Sequence, residues 1–267
     1  MRIATLGSGS SGNATYVEST SGAILLDAGL SARRITLGLK AIGRNVRDLS
    51  AIFLTHEHRD HAAGVAVLAK QVEVPFYATP GTWQALGEIA PDRRCVEPGV
   101  SLQLEGMRVT AFEVPHDANQ PVGFTVAAEG ERFALLTDLG YVSDAIIRAV
   151  RGCQGFLWEA NHDPRLLLNG PYPWTLKQRI LGDHGHLSNQ QTAEALRQVV
   201  SDETMWVMLG HLSEKNNDPN QARQTASEAL VASGWQADAE HLHIVPTHQP
   251  SVLYAVGAPL RGYADAG

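Results

Sequence analysis

His56-Glu57-His58-Arg59-Asp60-His61 puts three imidazoles and a carboxylate into six residues. Imidazole nitrogen and carboxylate oxygen are the natural ligands of zinc and similar divalent ions. The run follows the apolar stretch 51–55, AIFLT, which reads as a strand. It opens into 60–72, which reads as a helix. His56 and His58 then leave the strand end on one side. Asp60 and His61 sit at the mouth of the helix, where they can face a second ion. A metal site accounts for this crowding of ligand types; a solvated His-rich turn does not.

Four further ligand-type residues each follow an apolar strand pattern: Asp27 after AILL, His116 after MRVTAFEVP, Asp138 after RFALLT and His211 after MWVMLG. Each alone reads equally well as a cap or a satisfied rim residue. Together they place ligands at C-terminal strand ends, where α/β folds build their sites.

Strands over 2–6, 14–19, 23–29, 51–55 and 74–80 alternate with helices over 31–43, 60–72 and 82–90. A meander of four strands follows within 101–139. Helices over 143–151, 188–200 and 218–233 then alternate with strands over 155–162 and 205–213, and strands within 241–248 and 250–256 follow. The irregular stretch 163–187 is long for a loop in a compact domain, and a helix is expected around 174–181. This order predicts an α/β fold, a four-layer αβ/βα sandwich, as one domain over 1–267.

The 267 residues are 44% hydrophobic and 18% charged, as in globular proteins with a sizeable core. A net charge of −7 counts against a broad basic nucleic-acid footprint. Any polyanionic substrate must be held by local cations or by metal. Cys95 and Cys153 have no metal-type spacing and read as free thiols. The first residues, MRIATLGSGSSGN, lack the apolar segment of a signal peptide. No apolar run approaches the ~20 residues of a spanning helix. A cytoplasmic, non-membrane protein is expected.

Through His-x-His-x-Asp-His the sequence resembles the metallo-β-lactamase superfamily. The pieces LGSGSSGN (6–13), LTHEHRDH (54–61), EANHD (159–163), YPWTLKQRILGDHGHLSN (172–189) and LGHLS (209–213) are similar to its YycJ/WalJ branch, whose members are described as 5′-to-3′ DNA exonucleases. The resemblance implies that His56, His58 and His116 hold one metal, that Asp60, His61 and His211 hold another, and that Asp138 bridges both. Asp27 is then a hydrogen-bonding support for the 56–61 loop. The chain is too short for the β-CASP insertion of larger nucleases on this fold.

The expected activity is two-metal phosphodiester hydrolysis by a metal-bridging hydroxide, with zinc, manganese or iron as the ions. Asp60 and Asp138 would serve that hydroxide, and DNA ends carrying a 5′-phosphate would be the substrate. His162 and His186 are candidate acids, with Asp183 and His184 as alternatives; each reads equally well as structural. Glu159 either tunes the site or forms a buried pair. Ser8, Ser10 and Asn13 can meet a phosphate, although a Gly/Ser-rich connection explains that loop as well. Lys177, Arg179, Arg33 and Arg34 are candidate phosphate cations. Tyr141, Tyr172 and Trp174 can stack on a terminal base or belong to the core. The competing readings are a small-molecule ester or thioester hydrolase on the same fold and a non-catalytic metal scaffold.

Overall fold

The computed structural model describes residues 1–259. Successive residues of its strands point to opposite faces, so the near-continuous apolar runs are buried on both sides. The first sheet runs in the order Tyr254–Ala255 (β14), Arg2–Gly7 (β1), Ala14–Glu18 (β2), Ala23–Leu26 (β3), Leu49–Phe53 (β4), Phe76–Ala78 (β5) and Arg93–Cys95 (β6). The second runs in the order Leu242–Ile244 (β13), Trp206–Gly210 (β12), Gly155–Glu159 (β11), Glu131–Leu136 (β10), Val122–Ala128 (β9), Met107–Glu113 (β8) and Ser101–Leu104 (β7). Ile24, Leu26 and Phe53 pack in one cluster with Phe124, Phe133, Leu157, Trp206 and Met208 of the opposite sheet.

The intervening residues face outward onto helices. Leu25, Ile52 and Leu54 meet Ile35 and Leu39 of Ala32–Ala41 (α1). The short helices Arg59–Ala62 (α2), Val65–Leu68 (α3) and Pro80–Leu86 (α4) belong to the same half. Leu136, Phe156, Trp158 and Leu209 meet Ile146 of Asp144–Val150 (α5), Leu196 of Asn189–Val199 (α8) and Leu230 of Pro219–Ala232 (α9). Helix, sheet, sheet, helix is the αβ/βα sandwich the element order predicts. Pro164–Asn169 (α6) and Trp174–Leu181 (α7) lie between β11 and α8.

Several elements differ from the sequence reading, each for a local reason. β3 stops at Leu26 because Asp27 turns into the left-handed region, φ 63°. The helix expected over 60–72 is two helices, α2 and α3. At the break, the Gly64 N–H donates to the Ala28 carbonyl at 2.7 Å, and a Cβ on Gly64 would lie 2.3 Å from the Leu30 carbonyl oxygen. α4 begins at Pro80 rather than 82, because Thr79 caps it and proline suits the first helical position. α7 lies where a helix was expected. α6, opened by the cap Asp163 and Pro164, and the short edge strand β6 were not anticipated.

Three loops are laced together under the His-rich run. Asn13 N–H donates to the Asp60 carbonyl (2.7 Å), Gly29 N–H to the Asn13 carbonyl (2.8 Å) and Ala28 N–H to the His61 carbonyl (2.8 Å). The approach is so close that a Cβ on Gly29 would lie 1.6 Å from the Asp60 carbonyl oxygen. Away from the site, the buried Glu18 carboxylate accepts from Arg44 Nε (2.6 Å), Arg44 Nη2 (2.9 Å) and the Tyr16 hydroxyl (2.8 Å), and pairs with Arg2. Burial opposes its charge, but these partners outweigh that and hold its pKa below the ordinary 4.5.

Gly29→Ala is expected to cost about 3 kcal/mol by overpacking, read as a fall in the urea midpoint. Leu37→Ala, at a 53% exposed position, should stay within about 0.5 kcal/mol. Because the folded pKa of Glu18 is depressed, its stabilisation is complete above pH 4.5 and drains as pH falls below it. Glu18→Gln should therefore destabilise by about 1–3 kcal/mol at pH 7, and the gap from the parent should narrow as unfolding is measured at progressively lower pH below 4.5.

Candidate metal centre

The strand ends deliver the site with unusual backbone. Asp27 follows β3, Asp138 lies two residues past β10 and His211 follows β12, with φ of 63°, 61° and 53°. Among the described residues, the other two non-glycine positions with positive φ are Glu105 and Glu129, in hairpin turns. Non-glycine residues hold this conformation only where the surroundings fix it, at a cost on the order of 1–3 kcal/mol. For Asp27 and His211 the fixing partners are visible. Asp27 accepts from the Thr55 N–H (2.8 Å), the His211 N–H donates to Ser8 Oγ (2.8 Å) and Asn161 Nδ2 donates to the His211 carbonyl (3.0 Å).

Three groups of side chains converge, two of them sharing residues, and within each group the ligand atoms lie within 4.8 Å of one another. The first is His56, His58 and His116. The second is Asp60, His61, Asp138 and His211. The third shares Asp138 and His211 with the second and adds Glu159 and His186. Asp138 joins the first two: its Oδ2 is 2.9 Å from His61 Nε2, and its Oδ1 is 3.5 Å from His211 Nε2 and 3.7 Å from His116 Nε2.

Carboxylates behind the imidazoles set which nitrogen faces the centre. Asp27 Oδ2 lies 2.8 Å from His61 Nδ1, which turns Nε2 toward Asp138. Glu159 Oε1 holds two rings, His211 Nδ1 at 2.9 Å and His186 Nδ1 at 2.7 Å. Its Oε2 accepts from the Leu139 and Leu187 N–H groups. The Gly185 carbonyl lies 3.1 Å from His116 Nδ1. Such outer partners fix ring orientation and raise ligand basicity.

The electrostatics divide the centre. Burial, joined by repulsion from His61, pushes His56 well below its usual pKa, and burial likewise lowers His116. These rings are neutral, the form that binds metal. His61 is also buried, but Asp138 and Asp27 outweigh desolvation and hold it well above the ordinary range. Desolvation opposes the charge on His211 too, yet Asp138, Asp60 and Glu159 raise it to about 10. The carboxylates thus draw positive charge onto whatever lies between them. His56 Nε2 is buried and has no hydrogen-bond partner, a state that costs about 1–3 kcal/mol and that a divalent ion would relieve. Donor type, spacing and this orphaned nitrogen fit one or two divalent ions.

A cleft of about 210 Å³ opens on the centre. It is lined by the ligand-type residues His58, Asp60, His116, Asp138, His186 and His211, and by Tyr172, Leu176, Arg179 and Ile180. Ser10 and Asn161 also line it. Ser8 and Asn13 are buried beneath: Asn13 Nδ2 donates to the Asp60 carbonyl and lies 3.0 Å from His61 Nε2. Arg179 is hydrogen-bonded to Asp117, which also lines the cleft.

Other candidates lie elsewhere. Lys177 is buried and donates to the Leu168 carbonyl at 2.7 Å. His162 is 1% exposed, outside the cleft lining, and burial lowers its pKa to about 4. Arg33 and Arg34 sit on α1, Asp183 and His184 are exposed, and Tyr141 and Trp174 do not line the cleft. Thr55, whose Oγ1 lies within 3.2 Å of Asp27, His56 and His61, gave no sequence signal. Glu159 did: it ends a strand flanked by those that deliver Asp138 and His211.

Fold and clusters together define a metal-dependent hydrolase. The family model described as a β-lactamase superfamily domain matches residues 23–208. The chain is 42% identical over 237 residues to the exodeoxyribonuclease WalJ of Streptococcus pneumoniae, covering 86% of this chain and 88% of that protein. It is 36% identical over 262 residues to the exodeoxyribonuclease YycJ of Bacillus anthracis, covering 96% and 99%. The fold is shared with the Zn2+-bound PqqB of Methylobacterium extorquens, at a TM-score of 0.69 and 16% identity over 94% of this chain and 99% of that one. The chain belongs to the metallo-β-lactamase superfamily, with close homology to its WalJ/YycJ branch. Among the described residues no helix is long and apolar enough to cross a membrane.

Asp27→Ala removes the carboxylate that orients His61. It is expected to weaken binding of divalent ions about 10- to 100-fold, measured by titration calorimetry on folded protein. Unchanged affinity would reduce Asp27 to a cap of the 55–61 loop.

Proposed function

We propose that this protein is a two-metal phosphodiester hydrolase that removes nucleotides from the 5′ ends of DNA. The observation that carries this reading is the likeness to two exodeoxyribonucleases over 86% and 96% of the chain. His56, His58 and His116 are assigned to one ion, Asp60, His61 and His211 to the other, and Asp138 to both. Two ions of zinc, manganese or iron held there would supply hydroxide near neutral pH and neutralise charge on the phosphate.

The chain's own residues orient and donate. Asp27 and Glu159 fix the rings of His61 and His211. Glu159 also occupies His186 Nδ1, leaving Nε2 free to serve the cleft. Burial opposes the charge on His186, but Glu159 outweighs it and raises the pKa. His186 is therefore more readily protonated than a free imidazole, and we assign it as the acid that protonates the leaving oxygen. His162, buried away from the cleft, is not given that role. Arg179 is placed to meet phosphate once its partner Asp117 is displaced. With a net charge of −7, the attraction for DNA is local to this cleft. We read 1–267 as one domain acting in the cytoplasm.

Metal-loaded protein incubated with end-labelled 5′-phosphorylated DNA, an RNA and a thioester should release 5′-labelled mononucleotides from the DNA. Asp138→Ala should abolish this release, and His186→Ala should lower kcat by about 100-fold or more. Thioester turnover without DNA cleavage would overturn the reading.

A further inference from the structure

The lining of the cleft includes an aromatic ring, and a cation from just outside that lining lies over it. Tyr172 lines the cleft, and Lys215 Nζ lies 5.8 Å from the centroid of its ring. The two come from separate parts of the fold. Tyr172 lies between α6 and α7, whereas Lys215 follows β12, four residues beyond His211. Ser213, between His211 and Lys215, also lines the cleft. The loop that delivers a candidate ligand therefore also delivers the ammonium to the tyrosine. Leu176 and Ile180 extend the lining from α7 as apolar surface.

A ring, a cation and an apolar margin facing two carboxylate-rich metal groups are the recognition elements of a nucleotide. Aromatic faces stack on bases without regard to sequence, and a lysine beside them neutralises phosphate. The cleft is itself rich in acids, with Asp60, Asp117 and Asp138 lining it. A polyanion entering it needs an answering cation nearby.

We infer that Tyr172 and Lys215 form a platform that holds an unstacked nucleotide of the substrate strand, the base on the Tyr172 ring and a phosphate on Lys215. The inference rests on the nuclease reading and deepens it by naming the substrate form, an unpaired 5′ strand. An unpaired nucleotide presents its base face and its phosphate to Tyr172 and Lys215 together, so the platform suits single strands and frayed ends. Tyr172 is a specificity-determining residue: it sets the affinity for the strand and leaves the chemical step to the metal centre. Of the three aromatic candidates in the sequence, the geometry selects Tyr172; Tyr141 and Trp174 lie outside the cleft lining.

The test is binding of a 5′-phosphorylated, phosphorothioate-protected single strand to metal-loaded protein, read by fluorescence anisotropy. Tyr172→Ala should raise Kd about tenfold, Tyr172→Phe should stay within about twofold because the ring remains, and Tyr141→Ala should match the parent. An abasic sugar, moved through the first 5′ positions, should weaken binding to the parent protein by the same factor at one position. Tyr172→Ala should add no further loss there, because both changes remove the same contact. The abasic arm uses unaltered protein, so it stands even if the alanine variant folds poorly. Lys215→Gln should lower the slope of log Kd against log salt by about one.

The platform is overturned if the parent binds no strand, if Tyr172→Ala and the abasic loss multiply, if no abasic position matters, or if the salt slope is unchanged in Lys215→Gln. Cleavage is followed separately on unprotected DNA. A strand that binds through Tyr172 but is never cut refutes the nuclease reading and keeps the platform. Cleavage with unchanged binding in Tyr172→Ala does the reverse.

Discussion

The centre depends on carboxylates removed from water. Asp27, Asp138 and Glu159 are each at most 2% exposed, and an isolated buried carboxylate is too costly to persist without positive charge or hydrogen-bond donors. The surrounding histidines answer that demand. His61 lies between Asp27 and Asp138, and His211 between Glu159 and Asp138. The same arrangement that gathers protons onto these rings makes the space between them favourable to a divalent ion. Structural support and metal affinity therefore have one physical origin.

That arrangement requires backbone accuracy, and the fold supplies it in two ways. The parallel strands β3, β4, β10, β11 and β12 aim their C-terminal ends at the centre. Left-handed turns at Asp27, Asp138 and His211 then redirect the side chains. Close backbone contact among the 7–13, 27–30 and 56–64 loops removes the slack between them. Gly29 and Gly64 are needed there because no Cβ fits, which makes these glycines part of the metal centre even though neither can bind an ion.

Much of this was legible in the sequence, and what was missed has identifiable causes. The order of strands and helices gave the layers; β3 is apolar on both faces because it is buried between helices on one side and the second sheet on the other. The ligand-type residues were visible because each sits where an apolar run stops. The break between α2 and α3 was hidden because its cause is the Ala28–Leu30 backbone, distant in sequence from Gly64. Lys177 and Arg179 looked equivalent as cations on one helix, but two positions apart they point differently, Lys177 onto the Leu168 carbonyl and Arg179 into the cleft. The Tyr172–Lys215 pair spans two segments that no local pattern connects. α6 is different: Asp163-Pro164 is a readable helix start that the length of the surrounding irregular stretch obscured.

The first sheet also has a temporal consequence. Its outermost strand beside β1 is β14, residues 254–255, so residues near opposite ends of the described chain must meet before that sheet is complete. The ligand-type residues extend from Asp27 to His211, and the second sheet closes only with 242–244. A nascent polypeptide that has released its N-terminal half from the ribosome therefore has His56, His58, His61 and His116 without Asp138 or His211. Pairings this distant in sequence form slowly. Until Asp138 and His211 arrive, the emerging imidazoles are only part of the cluster, so the full set of ligand-type residues assembles late in folding.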